Sequence, residues 1–217
     1  TNEIAQAEAV YGGPMCNYWL HGEYLNLKGE KIAKSSGNIV LVDDLVKKGI
    51  NPLAYRYLCF TTHYRIPLSF SWESIEAADS ALRSLYDKVR MLKNADKKTE
   101  AILSPEAQNY KEQFIVSIED DLNMPKALAV LWETAKDQNL AHGEKLVLLL
   151  DFDRVFGFKF DSIKVYDIPV EIRDLARERE KARQAKDWTK SDELRQSILE
   201  KGYSVEDTPQ GPKLKKL

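Results

Sequence analysis

Two lysines three residues apart, Lys31 and Lys34, share a short run with Ser35, Ser36 and Gly37, and that combination suits the handling of a triphosphate. Paired ammonium groups can follow negative charge as it builds on a departing pyrophosphate, while hydroxyls and a loosened backbone donate hydrogen bonds to phosphate oxygens. A loop of this kind can also close on a substrate and reopen. Taken bare, however, two lysines and two serines in a turn are more often a solvated loop than a site. A second charged stretch lies far downstream, where Arg173, Arg177, Arg179, Lys181, Arg183 and Lys186 alternate with Glu171, Glu178 and Glu180. On its own that pattern describes a solvated, salt-bridged helix. Lys213, Lys215 and Lys216 close the chain either as a frayed basic tail or as phosphate contacts.

The elements that must carry these residues are mostly helical. Ile4, Ala5, Ala7, Glu8 and Val10 read as the tail of a helix stopped at Tyr11-Gly12-Gly13-Pro14. Residues 18 to 27 suit a short strand or hairpin turned by Lys28-Gly29-Glu30. Asp43 and Asp44 early, Lys47 and Lys48 late and Gly49 beyond predict a helix that matches the helix dipole, and Pro52 opens a second one. From Ser71 onward Trp72, Ile75, Ala78, Ala81, Leu82, Leu85, Val89 and Leu92 repeat at three- and four-residue steps, which predicts one long amphipathic helix. Ser104-Pro105 and Asn123-Met124-Pro125 cap two more, and helices over 105–120, 124–137 and 143–156 complete a bundle. Residues 158–167 read as a linker. Two charged helices, a strand at 203–205 and a possible returning strand then finish the chain.

The 217 residues suffice for one or two cores without staples. With 32 basic and 34 acidic side chains the net charge is -2, so any RNA surface must come from local clustering. Cys16 and Cys59 stand in unlike contexts and belong to no disulfide framework; both read as packed residues in a reducing, cytoplasmic setting. No stretch approaches the ~18 continuous apolar residues of a spanning helix, so no membrane is expected. The first residue, Thr1, is not methionine, and a chain cut from something longer is expected.

Lys31-Ile32-Ala33-Lys34-Ser35 resembles the Lys-Met-Ser-Lys-Ser signature of class I aminoacyl-tRNA synthetases, with Ala33 removing one hydroxyl. The flanks narrow the resemblance. Asn2-Glu3-Ile4-Ala5-Gln6-Ala7-Glu8-Ala9, Asn17-Tyr18-Trp19-Leu20-His21-Gly22, Thr62-His63-Tyr64-Arg65-Ile66-Pro67-Leu68-Ser69-Phe70 and Glu206-Asp207-Thr208-Pro209-Gln210-Gly211 are similar, in order, to stretches of cysteinyl-tRNA synthetases. Agreement therefore spans nearly the whole chain.

That resemblance implies a ligase that activates cysteine with ATP and Mg2+, then passes it to tRNA(Cys). It implies Lys31 and Lys34 as catalytic residues, with Lys34 and Ser35 at ATP, and Arg183, Asp192, Asp207 and Trp188 at the anticodon. It implies Glu3 as one ligand of a Zn2+ ion that holds the substrate thiolate, since soft sulfur binds zinc better than a hydroxyl does. The other ligands would lie upstream, so this chain is expected to hold zinc poorly and to be inactive alone. Trp19 and His21 are expected on the active-site side or in packing, and Arg65 either toward tRNA or in an ion pair. The expected fold is mainly α (α+β). Residues 1–67 end a catalytic domain with short strands and the lysine loop, 68–160 form a helical bundle, and 161–217 form a small α/β anticodon-binding piece. A monomer is expected. Two other readings stand beside this one: a cysteine:amino-sugar ligase of thiol biosynthesis, which would lack the anticodon-reading tail, and a non-catalytic RNA-binding or interaction module.

Overall fold

The computed structural model of the chain describes residues 2–27, 30–31, 40–95, 103–165, 168–208 and 211–216. Among these, helices dominate and strands are few and short. The chain divides into two compact units, residues 1–163 and 164–217.

In the first unit, α1 (Asn2–Tyr11) is closed by Gly12, whose φ of 71° suits a residue without a side chain and whose N–H reaches Glu8 O at 2.8 Å. No residue of α1 is buried. A small sheet follows, built from β1 (Leu25–Leu27), β2 (Glu30–Lys31) and β3 (Leu68–Phe70) in the order β2-β1-β3. The β1–β2 pair is antiparallel, with Asn26 opposite Lys31. Strand β3, parallel to β1, is absent from the expected elements because three residues are too few to display alternation.

Helices α2 (Val42–Lys47) and α3 (Leu53–Phe60) appear where their stop and start residues place them. Asp44 accepts the Leu41 N–H at 3.0 Å and so satisfies one of the free donors at the start of α2. The long α4 (Trp72–Ala95) buries Ile75, Ala78, Leu82, Leu85, Val89 and Leu92 of the expected stripe, while Trp72 and Ala81 are partly buried against the same core. Around it lie α5 (Pro105–Glu119), capped by Ser104, α6 (Met124–Lys136), capped by Asn123, and α7 (His142–Phe156). Leu45, Ile50, Ala54, Tyr57 and Leu58 share one buried cluster with these helices.

Residues 158–163 are not the linker that their position after a helix suggests. Phe158 and Phe160 are fully buried, and the rings of Phe156 and Phe158 stack at 5.3 Å. Polar side chains hold this extended piece in place, since a buried irregular backbone must find its hydrogen bonds somewhere. Asp153 accepts from Phe158 N–H at 2.6 Å and Phe160 N–H at 2.7 Å, while the Tyr86 hydroxyl donates to Phe158 O. The Lys93 ammonium donates to the carbonyls of Phe160, Asp161 and Ile163, and burial pushes its pKa down. Gly157 makes the turn possible: its φ is 65°, and a side chain there would collide with Arg56.

The second unit contains α8 (Val170–Gln184), α9 (Trp188–Glu200) and an antiparallel hairpin of β4 (Tyr203–Thr208) and β5 (Gly211–Lys216), with Tyr203 opposite Lys216. Ile172 and Ala176 of α8, Ile198 of α9 and Tyr203 and Val205 of β4 form its own buried cluster. With so few apolar side chains inside, polar contacts carry a larger share of its specificity.

Candidate functional site

The lysine run is only partly within the described residues. The backbone of Lys31 pairs with Asn26 in the small sheet, whereas Lys34 and Ser35 lie outside the described residues. Glu3 sits on the exposed α1, and its carboxyl is held below the usual range, first by its own backbone N–H. Among the described residues no three of His, Cys, Asp and Glu stand close enough together to hold a metal ion. Cys16 is exposed, not packed as expected; a Gly-Pro turn carries it away from any core. Cys59 is half-buried, and burial pushes its thiol up, which keeps it a poor ligand and nucleophile. The described residues therefore do not make a zinc site by themselves.

The rings of Trp19 and His21 lie nearly parallel at 6.3 Å. The segment after α3 is tied on two sides. Glu23 N–H donates to Tyr64 O and Leu68 N–H to Tyr24 O, while Asp121, at the α5–α6 turn, receives the side chains of the same segment. Arg65 Nε reaches Asp121 Oδ2 at 2.6 Å and Arg65 Nη2 reaches Oδ1 at 3.2 Å. The Tyr64 hydroxyl donates to Oδ1 at 2.7 Å, and His63 Nε2 lies 3.0 Å from Asp121 O. Of the two roles expected for Arg65, this geometry supplies the ion pair.

The Asp121 carboxyl is brought down to about 2, first by the Arg65 hydrogen bond and then by the Tyr64 hydroxyl. A depressed folded-state pKa stabilises the fold above the unfolded value of about 4, and that contribution fades as pH falls toward 2. Thermal melts of Asp121→Asn should therefore sit below those of the unaltered chain at pH 5 to 7 and converge with them near pH 2. A gap that persists at the acid end would contradict the assignment.

The C-terminal unit brings more of the expected residues together. Arg179 Nη1 reaches Asp207 Oδ1 at 2.6 Å and Nη2 reaches Oδ2 at 3.1 Å, a two-pronged pairing of guanidinium and carboxylate. Arg183, one turn further along α8, also pairs with Asp207 Oδ1. The Asp207 carboxyl is held below its ordinary range, first by Arg179 and also by Arg183, and Arg179 is pushed up by the same contact. Asp192 on α9 is exposed, and its charge is felt by Arg179. Trp188 is 59% exposed at the start of α9, so it is not a core residue of this unit, and its face is open to stacking.

Arg179 is the residue that reading the sequence misses, because it looks like one charge among many on a solvated helix. The signal was its spacing. It falls on the apolar stripe of Ile172, Ala176 and Ala182, where a charge must find a carboxylate. Chemically the cluster presents the partly exposed Asp207 carboxylate and Arg183 guanidinium at the surface, with the Arg179 fork beneath them. Carboxylates suit the N–H donors of guanine, and arginine suits acceptor edges and phosphates.

Comparison with known families divides the chain into three matched stretches. Residues 1–80 match the class I (C) tRNA synthetase catalytic domain, residues 113–157 a DALR domain, and residues 166–212 a cysteinyl-tRNA ligase anticodon binding domain. Among curated proteins the chain is similar to cysteine–tRNA ligase 1 of Burkholderia lata, at 39% identity over 224 residues, covering 99% of this chain and 44% of that protein. It is also similar to the cysteine–tRNA ligases of Protochlamydia amoebophila and Shouchella clausii, each at 34% identity over 230 residues and 99% of this chain. Those matches take in 47% and 49% of the respective relatives. The chain thus spans about half the length of the curated relatives it matches.

Proposed function

Since this chain belongs to the cysteinyl-tRNA synthetase family, we propose that it supplies the C-terminal part of an ATP-dependent cysteine–tRNA ligase, bringing the lysine loop and the surface that reads tRNA(Cys). The observation that carries this reading is the Arg183–Asp207 pair, seated at the surface of a unit whose residues 166–212 match an anticodon binding domain. A carboxylate and a guanidinium set side by side offer acceptors and donors at one spacing, which is what inspection of unpaired base edges requires. Trp188 would stack on a base and Asp192 would add a second acceptor.

In the same proposal Lys34, assisted by Lys31, follows the charge that moves onto pyrophosphate when the cysteine carboxylate attacks the α-phosphate of ATP, and Ser35 donates to a phosphate oxygen. Mg2+ would accompany the ATP. Zn2+ would be held mainly by residues that this chain lacks, with Glu3 contributing one oxygen. The chain alone would form no adenylate. The enzyme would act as a cytoplasmic monomer, and no helix among the described residues is long and apolar enough to cross a membrane. An amino-sugar ligase would have no use for an anticodon-reading unit, which disfavours that alternative.

Gel shift with the chain and a tRNA(Cys) transcript tests the reading, alongside a transcript with an altered anticodon. The unaltered transcript should bind more tightly, and Arg183→Ala should weaken it by about tenfold, the scale of one lost two-pronged base contact. Equal affinity for both RNAs would point to a generic RNA-binding module. No binding at all would remove the function from this unit.

A further inference from the structure

We propose that Arg179, which touches no RNA itself, is a positioning residue for anticodon reading: from beneath the surface its guanidinium locks the Asp207 carboxylate, and through it the shared Arg183, into the arrangement that meets the bases. The inference rests on the anticodon-reading role proposed above.

Exposure separates the three side chains. Arg179 is 5% exposed, against 31% for Arg183 and 41% for Asp207. The fork geometry fixes the plane of the carboxylate as well as its position, which a single hydrogen bond cannot do. Strand β4 places Asp207 opposite Pro212 through the backbone, leaving the side chain's own torsions to be fixed by something else. Arg179 supplies that restraint. Being four residues before Arg183 on α8, it also sets the second arginine on the same carboxylate oxygen.

The cost of the arrangement argues for a purpose. Arg179 lies among Ile172, Ala176 and Ala182, and its buried Nε has no hydrogen-bond partner among the described residues. Apolar side chains in place of both Arg179 and Asp207 would fill that stripe without a buried charge, and exchanges of a whole ion pair of that kind are often neutral or stabilising. Stability alone therefore gives no reason for an arginine here. Reading a base does, because discrimination depends on donors and acceptors held at fixed spacing, whereas attachment to phosphate does not.

The test uses the full chain and two transcripts, tRNA(Cys) and the same RNA with an altered anticodon. Arg179→Lys keeps the charge and loses the fork; Arg179→Met fills the stripe with no charge and safeguards folding, which circular dichroism checks. Both should lower the ratio of the two Kd values by about tenfold while leaving the salt dependence of binding unchanged, since phosphate contacts are untouched. In an Asp207→Asn background, Arg179→Met should remove no further discrimination. A merely structural arginine would weaken both RNAs alike, and an unaltered ratio in the folded Arg179→Met chain overturns the inference. Failure of the unaltered chain to discriminate would instead overturn the anticodon reading, and this inference with it.

Discussion

Pyrophosphate exchange should slow by about 10²- to 10³-fold when Lys34 is replaced by alanine, the loss seen when one donor aimed at developing charge is removed. The measurement needs the whole enzyme, and joining this chain to the remaining half of the Burkholderia lata relative would provide one. The physical reason lies in when the charge appears. In the ground state the triphosphate is already solvated and bound to Mg2+, so an ammonium group there adds mainly to binding. As the bond to the α-phosphate breaks, fresh negative charge moves onto the leaving pyrophosphate, and a group waiting at that position lowers the barrier more than it lowers the ground state. The prediction is therefore a fall in kcat larger than any rise in KM for ATP. Lys31→Ala should show a smaller fall in the same direction. Full exchange activity with Lys34→Ala would remove the chemical basis for assigning the loop to ATP.

The second large effect is on stability. Phe152 is completely buried, and its ring stacks on Phe114 at 4.0 Å with an angle of 14° between planes. Phe156, Phe158 and Phe160 continue the same aromatic cluster, with Phe114 and Phe156 meeting edge to face at 5.6 Å. Phe152→Ala removes a ring that the neighbours cannot replace, because Asp153 and Lys93 pin the backbone of the adjacent segment and prevent collapse. The expected cost is about 3 to 5 kcal/mol, which lowers the melting temperature of this unit by about 10 °C. Phe152→Leu, which keeps most of the volume, should cost clearly less. Equal melting of both variants and the unaltered chain would mean that this cluster does not hold the unit together.

Local signals made most of the helices legible. Proline and glycine stops, Ser104 and Asn123 as caps, and the three- and four-residue steps from Trp72 to Leu92 are decided within a turn or two of chain, so the sequence carries them. The lysine run and the family-like stretches are equally local in character. They point to the family, and the matched domains agree.

Other features depend on residues far apart in the chain. Strand β3 exists because β1 lies beside it, more than forty positions earlier. Residues 158–163 become part of a core only because Tyr86, Lys93 and Asp153 supply partners for their backbone. The same holds in the C-terminal unit. Alternating charges on α8 look alike in one dimension, and nothing within a helical turn distinguishes Arg179 from its neighbours except its place on the apolar stripe. Asp207 arrives from a strand beyond α9 and makes that difference. By itself, then, the sequence determined helix boundaries, family and candidate chemistry, all written in short-range patterns. Only the tertiary structure decided which charges are buried, which carboxylate pairs with which guanidinium, and which side chains stay exposed, because burial and pairing are set by the whole fold.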